Sequence, residues 1–542
     1  MWHALARLDT SVPTWKSLAA IGVLSLGLAP PQTDTGGLGK LTFPTSRASK
    51  AQPSFLRGVA ALHNFAYEEA VLEFHKAQDI DPGFAMAYWG EAMAYNQTLW
   101  LNQDAEAARG ILARLGPTAE ARAAKAGSEK EKGFFAAVEI LFGPGDKAAR
   151  DLAYAKAMEQ LYLRYPDDHE VACFYALGLL ATALRSPALY SEANEEVHQH
   201  ALVGSETQAR VAAILDRVLK ENAGHPGALH YSIHNYDDPD HARLALPAAR
   251  RYAKAAPDSS HALHMPAHIF VQLGNWAEAA ATDQASFAQS INWVNQHGFR
   301  IGMRDYHSLS WLCYEVLQQG RFRRARETLD LIRAGVADTG AQRLKAIESV
   351  MRAQYVIDTR SWEMLRDQAD FSTAAELFAI GMSGAEAGRP RVAALALGEL
   401  QRRSQSGKLD SAVMEKELAA IVELREGRKA RAVMLAEEAV AFEKRLPPPL
   451  GPPRPVKPAL ELYGEILLET GRAQDAAVAF EQALARWPKR SASLLGLARA
   501  LAAAGDRGSA RTRYRELLSN WSQADPGVSG LDEARRAVAG AK

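Results

Sequence analysis

Cysteine is scarce, with only Cys173 and Cys313 in 542 residues. Two thiols cannot build a disulfide framework, and they neither set nor exclude an oxidising compartment. A surplus of one charge is missing too: 63 Lys and Arg meet 63 Asp and Glu. A chain without net charge lacks the electrostatic footprint of a nucleic-acid binder or of a protein held on an anionic membrane. No apolar run is long enough to span a bilayer comfortably. Several motifs of well-understood chemistry are also absent. There is no C-x-x-C and no G-x-S-x-G. His169-Glu170-Val171-Ala172-Cys173 has Cys where a zincin needs its second His. Gly36–Lys40 (GGLGK) lacks the first Gly of a P-loop and follows no strand.

Strand-type alternation is missing as well, and β-branched residues are few. Ala, Leu, Arg and Glu dominate, which favours helix throughout. The punctuation of those helices repeats. Gly464, Gly471, Ala476, Phe480, Ala483 and Pro488 follow one another at fixed spacing, and Ala498, Gly505, Ala510 and Tyr514 begin the same series again. Gly58, Ala70, Phe74, Ala77 and Pro82 repeat it near the other end. Small residues let two helices approach closely, and Pro stops the second before the next unit. This pattern resembles the tetratricopeptide repeat, a helix–turn–helix unit of 34 residues with small residues at 8, 20 and 27, an aromatic at 24 and Pro at 32. The predicted fold is all-α, an α-solenoid of such repeats.

The chain divides accordingly. Residues 1–29 read as an export signal: Arg7 and Lys16 precede the apolar run Leu18–Ala29, which ends in small residues. The expected location is therefore periplasmic or extracellular. Residues 30–50 read as a linker, 51–165 as N-terminal repeats and 166–340 as central, histidine-bearing repeats. Residues 341–446 read as further repeats, 447–458 as a stiff Pro-rich linker, and 459–542 as the C-terminal repeats with a tail. A polar insertion at 185–205 interrupts the central block and is a candidate lid.

The stretch His230–Phe270 organises the rest. It holds two His-x-x-x-His pairs, His230/His234 and His264/His268, set 34 residues apart. Four-residue spacing puts both imidazoles of a pair on one helix face, and the offset places the pairs at equivalent sites of adjacent repeats. Together with Leu62–Tyr95 and Asp305–Tyr314, the segments Pro226–His234 and His261–Phe270 resemble a narrower group of bacterial tetratricopeptide proteins with the motif PGALHY-x-IH…HALHMP-x-HIF. That resemblance implies the fold and no particular activity.

In the repeat frame His230 and His264 take position 5, and His234 and His268 take position 9. His261 and His307 take position 2, Glu170 and Cys173 take 2 and 5 of the preceding repeat, and Tyr314 takes 9 of the following one. The superfamily resemblance implies that positions 2, 5 and 9 line a concave groove. Four imidazoles on neighbouring helices, about 8–10 Å apart, are expected to converge on one zinc, copper or iron ion, with His261 and His307 as further ligands. Glu170, Cys173, Asp305 and Tyr314 are candidates to stand behind them. Pro266, between His264 and His268, is expected to bend its helix or to be tolerated near the helix start.

Three readings follow. One is an exported repeat protein that takes a protein, peptide or small ligand in its groove and carries a histidine-bound metal. Another is a metalloenzyme using metal-activated water or oxygen in the same groove. The third is a scaffold without metal, its histidines structural.

Overall fold

Side-chain oxygens of Asp104, Thr118, Ser128, Asp146, Ser259, Asp305, Thr373 and Asp506 each accept from the amide three residues on, so eight helices begin on the side-chain cap their sequence supplies. The structure, a computed structural model, describes residues 33–47, 50–183, 205–365, 373–447 and 450–540. Twenty-five α-helices lie among them, packed as successive antiparallel neighbours. The sheets among the described residues are two short antiparallel ladders, Thr33–Asp34 with Lys40–Leu41 and Asn96–Gln97 with Asn102–Gln103. The fold is an all-α helical repeat, as the punctuation predicts.

The spacing of small and aromatic residues has a direct steric cause. Phe74 lies between Gly58 of its own repeat and Gly90 of the next, and a Cβ on either glycine would collide with the ring. Phe480 stands in the same relation to Gly464 and Gly496. One buried aromatic thus sets the approach of two first helices, and its ring fills the space that the missing side chains leave.

Two expected linkers are built into the body instead. Between residues 33 and 47, Leu38, Leu41 and Phe43 are buried. The backbone is tied to the histidine repeats through Lys40 N to Gly224 O (3.3 Å) and Asp258 N to Gly37 O (2.9 Å). Three apolar side chains in a short polar stretch are enough to seat it as a strap. Residues 450–458 also pack, with Val456 buried, Lys457 paired to Glu461 at 3.1 Å and Gly451 pressed on Trp311. The export signal at 1–29 and the insertion up to residue 204 lie outside the described residues.

The solenoid then turns back on itself. Trp276 Nε1 donates to Lys489 O at 3.0 Å, and Ser491 Oγ donates to Gln318 O at 2.6 Å. Asp525 N donates to Gly320 O at 3.0 Å, while Arg323 Nε donates to Asp525 Oδ1 at 2.9 Å. Arg490 is fully buried at this seam, bonded to Asp358 at 2.6 Å and Glu461 at 2.8 Å. The last repeats therefore dock on the repeat that follows the histidines. No helix among the described residues is long and apolar enough to cross a membrane.

Candidate metal centre

The first histidine helix, Pro226–Asn235, starts on His225, whose Nδ1 accepts from Ala228 N at 3.3 Å. Pro226 at the first turn costs no intrahelical bond. The second, Ser260–Gln272, starts on Ser259 and continues through Pro266 without ending. Of the two expected outcomes, a bend or tolerance near the helix start, the helix shows an uninterrupted run through the proline. Pro266 sits in the seventh helical position, and Thr282 of the next helix donates to the carbonyl of Leu263 one turn back. Leu229, Ile233, Met265 and Ile269 anchor the two helices on the side where Tyr252 and Trp276 pack. That leaves the histidine faces turned to the interior of the superhelix.

The six histidines do not form one cluster around the two pairs. They form two trios. His230 Nε2 lies 3.0 Å from His234 Nε2 and 3.2 Å from His261 Nε2. His264 Nε2 lies 3.1 Å from His268 Nε2, and the His307 ring stands 4.8 Å from the His264 ring between centroids. Within each trio, His230/His234/His261 and His264/His268/His307, one nitrogen per ring lies within 4.8 Å of the others. Across the trios the rings are farther apart, with His234–His268 and His261–His264 both at 6.4 Å. Each trio therefore takes positions 5 and 9 of one repeat and position 2 of the next, and the repeat register makes the same site twice.

The outer nitrogens are held. His230 Nδ1 donates to His63 O at 2.7 Å. His264 Nδ1 donates to Asp283 Oδ1 and His268 Nδ1 to Asp237 Oδ2, both at 2.6 Å. A proton fixed on Nδ1 leaves the Nε2 lone pair aimed inward, the carboxylate–histidine arrangement of metal ligands. Burial disfavours the charged ring at three of them: it pushes His230 down to about 3 and His261 and His307 well below the usual range. It pushes Asp237 up to about 8. A tetrahedral ion with bonds of about 2.0–2.1 Å separates its nitrogens by about 3.3 Å, close to the 3.0–3.2 Å found.

The expected open groove is not there at these positions. His230, His264 and His268 have no exposed surface and His234 has 2%, while His261 and His307 keep a partly exposed edge. Phe65 closes the first trio, its ring centroid 4.4 Å from His230 and 5.8 Å from His261. Its backbone is left-handed, φ 53°, a conformation that non-glycine residues hold only where the surroundings enforce it. Trp100 stands 5.7 Å from His261, and Trp311 covers His268 at 4.5 Å.

The four residues expected behind the histidines are engaged elsewhere. Glu170 binds two other imidazoles, His63 Nε2 at 2.6 Å and His225 Nε2 at 3.1 Å. Cys173 Sγ is 3.7 Å from His225 Nδ1. His63 Nδ1 meets Tyr231 OH at 2.8 Å. Every ring nitrogen of that third group thus has a protein partner, which makes it a closed hydrogen-bond network rather than an open ligand set. Asp305 caps its own helix and accepts from Ser286 Oγ at 3.1 Å. Tyr314 packs on Trp276 and under Arg490. The supporting carboxylates are Asp237 and Asp283, two residues that carry no repeat signal.

Residues 467–521 match the family model described as Tetratricopeptide repeat. The chain carries tetratricopeptide repeats. Within the matched segment Phe480 meets Gly496 as Phe74 meets Gly90 near the N-terminal end. Solved structures with a similar course include the yeast Tom70, at 10% identity over 90% of this chain and 88% of that one, TM-score 0.23. The human IFIT1 dimer with m7Gppp-AAAA aligns at 12% identity over 89% and 92%, TM-score 0.33. The APC/C hetero-tetramer Cut9-Hcn1 aligns at 14% over 90% and 96%, TM-score 0.26. No partner or activity follows from likeness at that level. No curated protein matches the chain.

Proposed function

We propose that this tetratricopeptide-repeat protein is a metal-holding helical scaffold, its interior histidines binding a transition metal of the zinc, copper or iron type. One observation carries the reading. His264 Nδ1 and His268 Nδ1 are each held by a buried aspartate at 2.6 Å, and their Nε2 atoms meet at 3.1 Å. Two lone pairs at that distance in a dry interior need a cation or a proton between them, and imidazole is a ligand that zinc, copper and iron accept. Peptide binding against these histidines is not favoured, because they are covered.

Protein purified without a histidine tag should contain bound transition metal by elemental analysis. His264→Ala should lose metal while circular dichroism shows its helicity largely retained, since Met265 and Ile269 carry the packing. Metal-free parent protein, reconstituted with zinc, copper and iron in turn and retaining none, would leave a metal-free scaffold. Export belongs to the same proposal and rests on the sequence of residues 1–29. Protein from its native source should begin near residue 30, and an intact Met1 on a cytosolic pool would remove that part.

A further inference from the structure

We propose, building on the metal reading above, that the two trios hold a pair of ions that share one small anion between them, hydroxide in water. Two sites follow from the repeat register, because position 5, position 9 and the next position 2 recur as a set and each set closes on itself. Each trio offers three nitrogens. A three-ligand histidine site keeps at least one coordination position for a non-protein group.

Charge supplies the second argument. Two divalent ions bring four positive charges, and imidazoles bound through a lone pair bring none. Asp237 and Asp283, behind His268 and His264, offset at most two. Net positive charge in an interior this deeply buried is unfavourable unless paired. An anion lying between the ions meets both with one charge and fills the open position on each. The trios are adjacent, with ring centroids 6.4 Å apart at two places, His234–His268 and His261–His264.

Size supplies the third. Phe65, Trp100 and Trp311 wall the histidines, and the edges of His261 and His307 are the parts left accessible. Such an enclosure suits hydroxide, peroxide or azide, and not a substrate the size of a peptide or sugar.

The test uses full-length, tagless, metal-free protein reloaded with copper(II) and titrated with azide as the probe anion. Elemental analysis should give two coppers per chain. The azide-to-copper absorption should saturate at one azide per chain. The electron paramagnetic resonance signal should be largely lost, because two copper(II) ions sharing a bridging anion couple their unpaired spins. His307→Ala and His261→Ala remove a partly exposed ligand from opposite trios. Each should keep one copper and recover the signal of one isolated ion, with helicity unchanged. One copper per parent chain would overturn the pairing and keep the metal reading. Two coppers with two independent signals and two azides would overturn the shared anion. A parent that retains no copper, zinc or iron would overturn the metal reading itself. Should either variant misfold, the copper count, azide count and spin signal of the parent decide alone.

Discussion

Arg490→Met should destabilise the protein by about 3–5 kcal/mol at neutral pH, the effect of removing one partner from a buried ionic network. Arg490 has no exposed surface and is bonded to Glu461, Asp358 and, at 3.4 Å, the hydroxyl of Tyr314. Methionine fills much of the volume but leaves two carboxylates in the interior, with Lys457 shared between Glu461 and Glu465. The pH dependence identifies the cause. Burial pushes Glu461 up, but Arg490 and Lys457 outweigh it and hold the group near 2. A depressed carboxyl contributes stability that is complete above its ordinary value of 4.5 and is lost as pH falls toward 2. The deficit of the variant should therefore be largest at pH 7 and shrink below about pH 4.5. Thermal unfolding at pH 7 and pH 3 measures this. Hydrogen exchange at Ser491 and Asp525 should rise as the seam loosens. A deficit under 1 kcal/mol, or one that grows in acid, would show that Arg490 does not hold the returning repeats.

On the proposed metal reading, Asp283→Asn should weaken ion binding in the second trio by about 10–100-fold, the usual cost of losing a supporting carboxylate. Asparagine keeps an oxygen for His264 Nδ1 but cannot carry the charge that strengthens the ring as a donor. Asp237→Asn should act likewise through His268, whereas the first trio, backed on His230 by the carbonyl of His63, should be unaffected by either change. Competition with a chelator of known affinity reads the two ions separately when they differ. Equal affinities in parent and variants would mean that the aspartates only hold the rings in place.

The repeat frame made much of this legible. It gave Phe74 and Phe480 the same position in their repeats, and it assigned His261 and His307 to position 2 although 46 residues separate them. What it could not give was the distance between equal positions on successive helices. His261 at position 2 closes on His230 at 3.2 Å, while the His234 and His268 rings stand 6.4 Å apart. Burial was equally out of reach. Trp276 meets Lys489 more than two hundred residues on, and the strap at 33–47 crosses to Gly224 and Asp258. Neither contact has a period. Asp237 and Asp283 stay silent in sequence for a related reason. One leaves a loop and the other a second helix, at unrelated offsets from the rings they hold.

The sharing of each trio between two repeats changes how such a protein comes apart. A solenoid normally frays from its ends, because every unit is supported by its neighbours alone. Here the histidines of the proposed sites stand on Pro226–Asn235, Ser260–Gln272 and Tyr306–Gln318, three consecutive units. An ion in each trio can remain only while both of its units stay docked, so metal binding adds its free energy to the joints and not to the units. Loading then acts as a pair of rivets. It converts the middle of the array into one cooperative block and leaves fraying to the repeats on either side.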